Sequence, residues 1–267
     1  MVDYFNELDL AVALITESWL SEGKKLQHCI DDLNDGENIQ ILQKSRKSRR
    51  GRTAGSGVVI AHDTNKIKLK PFPISCGKAE IIAATGRIAN NQRVFVFFSI
   101  YISPKTKAKQ TQETLDALSD AILIAKTTFR DPIVIVGGDF NKKEVEPATA
   151  PFPDIRILPT SPTRGRSTLD LIATNLTESD VNDVFVCEPL KKPDGQQSDH
   201  NVIAVKTTLH HSDCFMWNEF NSRPLTNKGC KIFRQKNLQL MVEESFPIKK
   251  HLVRSIDDPW ITPQIRN

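Results

Sequence analysis

Residues 132–141 (Pro-Ile-Val-Ile-Val-Gly-Gly-Asp-Phe-Asn) constrain this chain more than any other stretch. A continuous apolar run rich in β-branched residues reads as a strand buried on both faces. Two glycines follow at once, and glycine lets a backbone turn where a side chain would clash. The strand should therefore deliver Asp139 and Asn141 to one rim of a sheet, close together. A carboxylate and an amide held there suit a metal ion or a phosphate. They equally suit the capping of a turn, and the run alone leaves both readings open.

Several other short apolar runs end the same way. Residues 10–16 form a buried-strand candidate that stops at Glu17, an acid that is costly to bury without a cation or a donor. Residues 67–69, 80–88 and 93–101 read as further strands, with Asn90-Asn91 as a hairpin turn. The last of these ends at Tyr101, whose hydroxyl could donate to a phosphate or simply stay wet above a core ring. Residues 111–128 carry Leu115, Leu118, Ile122, Ile124 and Ala125 at helical spacing and predict an amphipathic helix. Asp170 sits in an apolar β-like run, residues 167–175. A carboxylate there is satisfied only by a partner such as an imidazole. Asp199-His200 then precedes a closing strand at 202–205, and by itself His200 reads as a surface imidazole.

Lys44, Arg46, Lys47, Arg49, Arg50 and Arg52 make the most basic run. Such a loop can neutralise phosphates and release counterions, or it can be a solvated loop or a localisation-type signal. A net charge of +4 permits a nucleic-acid partner without establishing one. The 267 residues suffice for one large domain with a tail or for two small domains. No apolar stretch is long enough to span a membrane, and no secretory signal pattern is visible. Five widely spread cysteines form neither a disulfide framework nor a CxxC pair, which points to a reducing, intracellular compartment. His210, His211 and Cys214 have no second Cys/His pair at zinc-like spacing and read as non-metal. From about residue 210 the β periodicity stops and a polar, basic segment follows.

The order of these pieces resembles the endonuclease/exonuclease/phosphatase superfamily, with its deoxyribonuclease I-like fold. The likeness is strongest to the apurinic-type endonuclease of non-LTR retrotransposons. The segments that carry it are Ile-Thr-Glu-Ser-Trp-Leu at 15–20, Tyr-Ile-Ser-Pro at 101–104, Gly-Gly-Asp-Phe-Asn at 137–141, Ser-Thr-Leu-Asp-Leu-Ile at 167–172 and Ser-Asp-His at 198–200. The resemblance implies an α+β fold, a two-sheet β-sandwich flanked by helices in four α/β/β/α layers. It implies a domain at 1–208 and, at 209–267, an extended or partly helical linker resembling the segment before a reverse transcriptase. It also implies roles. Glu17 and Asp199 would ligate a divalent cation, Mg2+ with Mn2+ as the substitute. Asp139 would orient or deprotonate the attacking water, and Asn141 and Tyr101 would hold phosphate oxygens. His200, fixed by Asp170, would hydrogen-bond the scissile phosphate, and residues 44–52 would grip DNA in the nucleus. The family's first strand, which carries an Asn, has no counterpart ahead of Glu17, because Asn6 lies too close to it. The expectation is therefore a fold lacking that strand, with weak nicking activity. A phosphatase of the same fold and a non-catalytic nucleic-acid-binding fragment are the alternatives.

Overall fold

A computed structural model describes residues 5, 8–18, 38–44, 57–77, 79–88, 93–141, 144–189, 198–208, 217–222 and 249–254. The chain divides into two compact units, Met1–Thr208 and Leu209–Asn267. The first contains β1 (Val12–Thr16), β2 (Ile39–Lys44), β3 (Val58–Asp63), β4 (Ile67–Pro71), β5 (Glu80–Ile88) and β6 (Phe95–Tyr101). Helix α1 (Ala108–Thr128), β7 (Ile133–Asp139), the short α2 (Glu146–Thr149), β8 (Arg156–Ile157), β9 (Asp170–Thr174), β10 (Val181–Cys187) and β11 (Val202–Thr207) follow. In the second unit, β12 (Trp217–Ser222) and β13 (Lys249–Arg254) pair antiparallel.

Six strands form the larger sheet, in the order β4-β5-β6-β7-β9-β8, and β1-β3-β2 form a smaller one. β6 and β7 run parallel, with α1 as the crossover between them. Period-two alternation sends successive side chains of these strands to opposite faces. Val96, Phe98, Ile100, Val134 and Val136 form one core with Leu115, Leu118, Ile122 and Ala125 of α1. The helix therefore covers one face of the larger sheet. It begins at Ala108, a turn earlier than predicted, and Leu123 and Ile124 lie on its outer side, 52% and 42% exposed.

The other face of the larger sheet meets β1 and β3. The two sheets approach closely where β7 lacks side chains. A Cβ at Gly137 would fall 2.7 Å from Leu14 Cδ1, so the first glycine is a seat for Leu14 of β1. Nearby, Ser99 Oγ donates to the Ile15 carbonyl at 3.4 Å. β7 is thus buried on both faces, as its uninterrupted apolar run predicts. The fold is a two-sheet sandwich flanked by helix. No helix among the described residues is long and apolar enough to cross a membrane.

Not every inner-face residue is apolar. Ala61 of β3 belongs to the outer cluster with Phe5 and Ile39, so alternation turns His62 toward the larger sheet. His62 is 1% exposed, and among the described residues neither ring nitrogen makes a well-formed hydrogen bond. Burial holds its pKa below the usual imidazole value of 6.5, against opposing pulls from Asp63 and from the Gln40 backbone carbonyl. The ring is neutral in the fold, whereas an unfolded histidine takes a proton near pH 6.5. His62 therefore costs no ionisation energy above that pH and lowers stability progressively as the pH falls below it. His62→Leu should raise stability by about 1–2 kcal/mol, because two poorly satisfied nitrogens leave the core. It should also flatten the acid limb of the stability curve. Urea unfolding from pH 5 to 8 measures both, and an unchanged acid limb would refute this account.

Candidate active site

Strand register places the site. β5 sets Glu80 opposite Tyr101, β6 sets Tyr101 opposite Asp139, and β7 sets Asp139 opposite Asp170. Residues in register share a face. One row of polar side chains thus crosses four strand ends on the face turned toward β1. Glu17 joins it from the opposing sheet, one residue beyond the end of β1. Its backbone is in the left-handed region at φ 50°, and the next N–H, of Ser18, bonds the Gly57 carbonyl at 3.2 Å. The Tyr101 hydroxyl donates to the Glu17 carboxylate. Burial first, and Glu17 second, push the Tyr101 phenol well above its ordinary pKa. It is a hydrogen-bond donor at any working pH.

Asp139 is the most enclosed of the carboxylates, 3% exposed. Asn141 holds both of its oxygens: the Asn141 backbone N–H reaches Oδ1 at 2.9 Å and Nδ2 reaches Oδ2 at 2.8 Å. A second Nδ2 bond runs to the Ile102 carbonyl at 3.1 Å. Both amide hydrogens of Asn141 are therefore committed inside the protein, and its side-chain oxygen is the atom left over. Asn141 sits at φ 48°, a conformation Asn tolerates better than most residues. Burial, then Asp170, raise the Asp139 carboxyl to about 6, against the pull of the Asn141 N–H and of His200.

His200 Nδ1 lies 2.8 Å from Asp170 Oδ2. A carboxylate accepts, so the ring carries its proton on Nδ1 and keeps Nε2 as the free nitrogen. Asp170 opens β9 rather than lying inside it, and it is half-buried. Asp199, next in line, is two-thirds exposed and forms an ion pair with Arg164. Among the basic candidates, Lys44 is turned inward: its Nζ meets Cys76 Sγ at 2.6 Å and the Ala79 carbonyl at 2.9 Å. Arg46, Lys47, Arg49, Arg50 and Arg52 lie outside the described residues.

The site includes residues that the sequence did not single out. Glu80 accepts the Gly57 N–H at 3.1 Å and fastens the mouth of β3 to that of β5. Arg164 lies in a tight turn, and nothing in its local sequence marks it; only pairing with Asp199 gives it a role.

Among the described residues, Asp139, Asp170 and His200 bring ligand atoms within 4.8 Å of one another. Hard oxygen donors in this set suit a divalent cation of the Mg2+ kind. The raised Asp139 carboxyl fits the same conclusion, since burial first and Asp170 second oppose its charge, and a cation would offset both.

No protein-family model and no curated protein sequence matches the chain. Solved structures do. An endonuclease/exonuclease/phosphatase from Bacteroides vulgatus is 12% identical over 77% of this chain and 88% of that one, with a TM-score of 0.55. This chain has the endonuclease/exonuclease/phosphatase fold. Mannosyl-6-phosphatase Bt3783 of Bacteroides thetaiotaomicron is 14% identical, covers 77% of this chain and 88% of its own, and gives a TM-score of 0.56. The endonuclease domain of TRAS1, a telomere-specific non-LTR retrotransposon, is 16% identical over 78% of this chain and 90% of that one, at a TM-score of 0.51. At such identities the likeness is one of fold. Endonuclease/exonuclease/phosphatase-fold neighbours of both kinds hydrolyse phosphoesters, and this chain carries an acidic, cation-competent cluster at the ends of its central strands.

Proposed function

We propose that this chain is a divalent-cation-dependent phosphodiester hydrolase that nicks DNA in the manner of a retrotransposon endonuclease. One observation carries the reading. Glu17, Tyr101, Asp139, Asn141, Asp170 and His200, scattered over the first unit, lie along or are bonded to one row of strand ends. Packing alone has no use for such a row.

The chain's own groups divide the work. Asp139, with a conjugate acid near 6, can take a proton from water at neutral pH. Asn141 fixes the orientation of that carboxylate through two bonds. Asp170 holds the His200 ring so that Nε2 can meet a phosphate oxygen. Tyr101 supplies a hydroxyl that stays protonated. Glu17, whose charge acts on Asp139, would hold Mg2+ or Mn2+ at the Asp139–Asp170–His200 cluster, and Asp199 would join it on leaving Arg164. When bound, the cation supplies positive charge against the phosphate oxygens. Arg46, Lys47, Arg49, Arg50 and Arg52 would supply non-specific DNA attraction, and a reverse transcriptase acting in the nucleus is the partner this activity would serve.

The experiment is conversion of supercoiled plasmid to open circles. The purified chain should nick in Mg2+ or Mn2+, stop on addition of EDTA, and slow steeply with added salt. The phosphatase neighbour defines the competing outcome: hydrolysis of a small phosphomonoester with plasmid left intact would overturn the DNA reading.

A further inference from the structure

Thr163 is completely buried, yet it belongs to no strand and to none of the roles assigned above. Its hydroxyl oxygen accepts two backbone N–H groups, from Leu169 at 3.1 Å and from Asp170 at 3.2 Å. Its carbonyl accepts the Asn201 N–H at 2.7 Å, and its own N–H donates to the Ser167 carbonyl at 3.0 Å. The Arg164 and Ser167 backbones close the turn with a reciprocal pair of bonds, around Gly165 at φ 57°.

These bonds connect two segments far apart in the chain. Asp170 is the carboxylate that holds His200, and Asn201 is the residue directly after His200. One side chain and one carbonyl of the same residue therefore fix the backbone on both sides of the Asp170–His200 hydrogen bond. The Arg164–Asp199 ion pair adds a third attachment between the same two segments. That pair is largely exposed and of small energy, whereas the Thr163 bonds are buried and leave unpaired N–H groups if broken. The hub is Thr163.

We infer that Thr163 is a positioning residue for the imidazole, setting the spacing and orientation of the Asp170–His200 pair; the catalytic consequence rests on the nuclease reading above. Thr163 touches neither substrate nor cation. It acts because groups that orient a reacting side chain affect activity by about 10–100-fold when removed. Thr163→Val keeps the shape and removes the acceptor, Thr163→Ala removes both methyl and hydroxyl, and Thr163→Ser keeps the acceptor.

The test reads the imidazole directly, by long-range 15N–1H NMR on the cation-free protein. In the natural chain and in Thr163→Ser, His200 should show one tautomer, with a downfield, exchange-protected Nδ1–H. In Thr163→Val and Thr163→Ala that resonance should weaken or vanish and the two tautomers should mix. Nicking kinetics should follow, with kcat lower by about 10–100-fold and KM within about twofold. If the Val protein does not fold, the Ala and Ser proteins decide the matter. A soluble Val or Ala variant with an unchanged Nδ1–H signal overturns the proposal, as does a Ser variant that behaves like Ala. The NMR arm is independent of activity. A natural chain that never nicks DNA but shows this dependence on the Thr163 hydroxyl would remove only the nuclease reading.

Discussion

Gly138→Ala should yield no folded protein. In the parallel β6–β7 ladder Gly138 stands beside Ile100, and a Cβ there would fall 1.9 Å from the Ile100 carbonyl oxygen and 2.8 Å from its carbonyl carbon. These are backbone atoms in the centre of the larger sheet, so no side chain can swing away. The backbone conformation, at φ 153°, is also one that residues with a Cβ rarely adopt. Relieving the overlap means separating the two central strands just before Asp139. The cost is comparable with a domain's whole stability, about 5–15 kcal/mol. Gly137→Ala makes the internal control. Its added Cβ overlaps the tip of Leu14, a flexible side chain, with Ile172 Cγ1 at an ordinary 3.6 Å, and it should fold with a loss of about 1–3 kcal/mol. Circular dichroism and urea unfolding of the two proteins separate the cases. A Gly138→Ala protein as stable as Gly137→Ala would show that the strands are not packed as described.

Asp139→Asn should abolish nicking while making the fold more stable at neutral pH. The sign follows from the raised carboxyl. An unfolded aspartate ionises near 3.8, and Asp139 in the fold near 6, because burial and Asp170 oppose its charge. Between those values the fold binds a proton that the unfolded chain releases, so stability falls as pH rises from about 4 to about 6 and is level above. A shift of that size corresponds to about 3 kcal/mol. The neutral amide avoids that penalty but loses one of the two charge-assisted bonds from Asn141. A net gain of about 1–2 kcal/mol at pH 7.5 is expected, shrinking toward zero below pH 4. Loss of the proton acceptor should lower plasmid nicking by about 100-fold or more. Urea midpoints at pH 4 and pH 7.5, with nicking measured alongside, test both halves. An Asn variant that is less stable at neutral pH would show that Asp139 is a structural anchor rather than a strained functional acid.

Asp139 and Asp170 are legible in the sequence because each breaks a local rule. Asp139 follows a double glycine at a strand end, and Asp170 interrupts an apolar run that would exclude it unless it were paired. Those conflicts need no structure to be noticed. Strands without conflict were harder to see. Ile39–Lys44 and Val181–Cys187 alternate only loosely, and their partners β3 and β11 are distant along the chain. β pairing of that kind is decided by tertiary packing.

Local chemistry could announce which residues carry the site, but not how they divide among partners. Asn141 reads as a phosphate contact from its type and place; in the fold its donors serve Asp139 and Ile102. Lys44 reads as the first residue of a basic loop; in the fold it is tied to Cys76 and Ala79. Asp199 reads, through the resemblance, as a cation ligand; in the fold it faces Arg164. The apolar periodicity and the glycine pair determined that a two-faced central strand would end in an acid. Only the tertiary structure decided that Tyr101, Asp139 and Asp170 share a register, that Glu17 meets them from another sheet, and that Thr163 joins Asp170 to the His200 segment. Periodicity acts through neighbours a few residues apart, whereas hydrogen-bond partners are set by segments that meet only when the core closes.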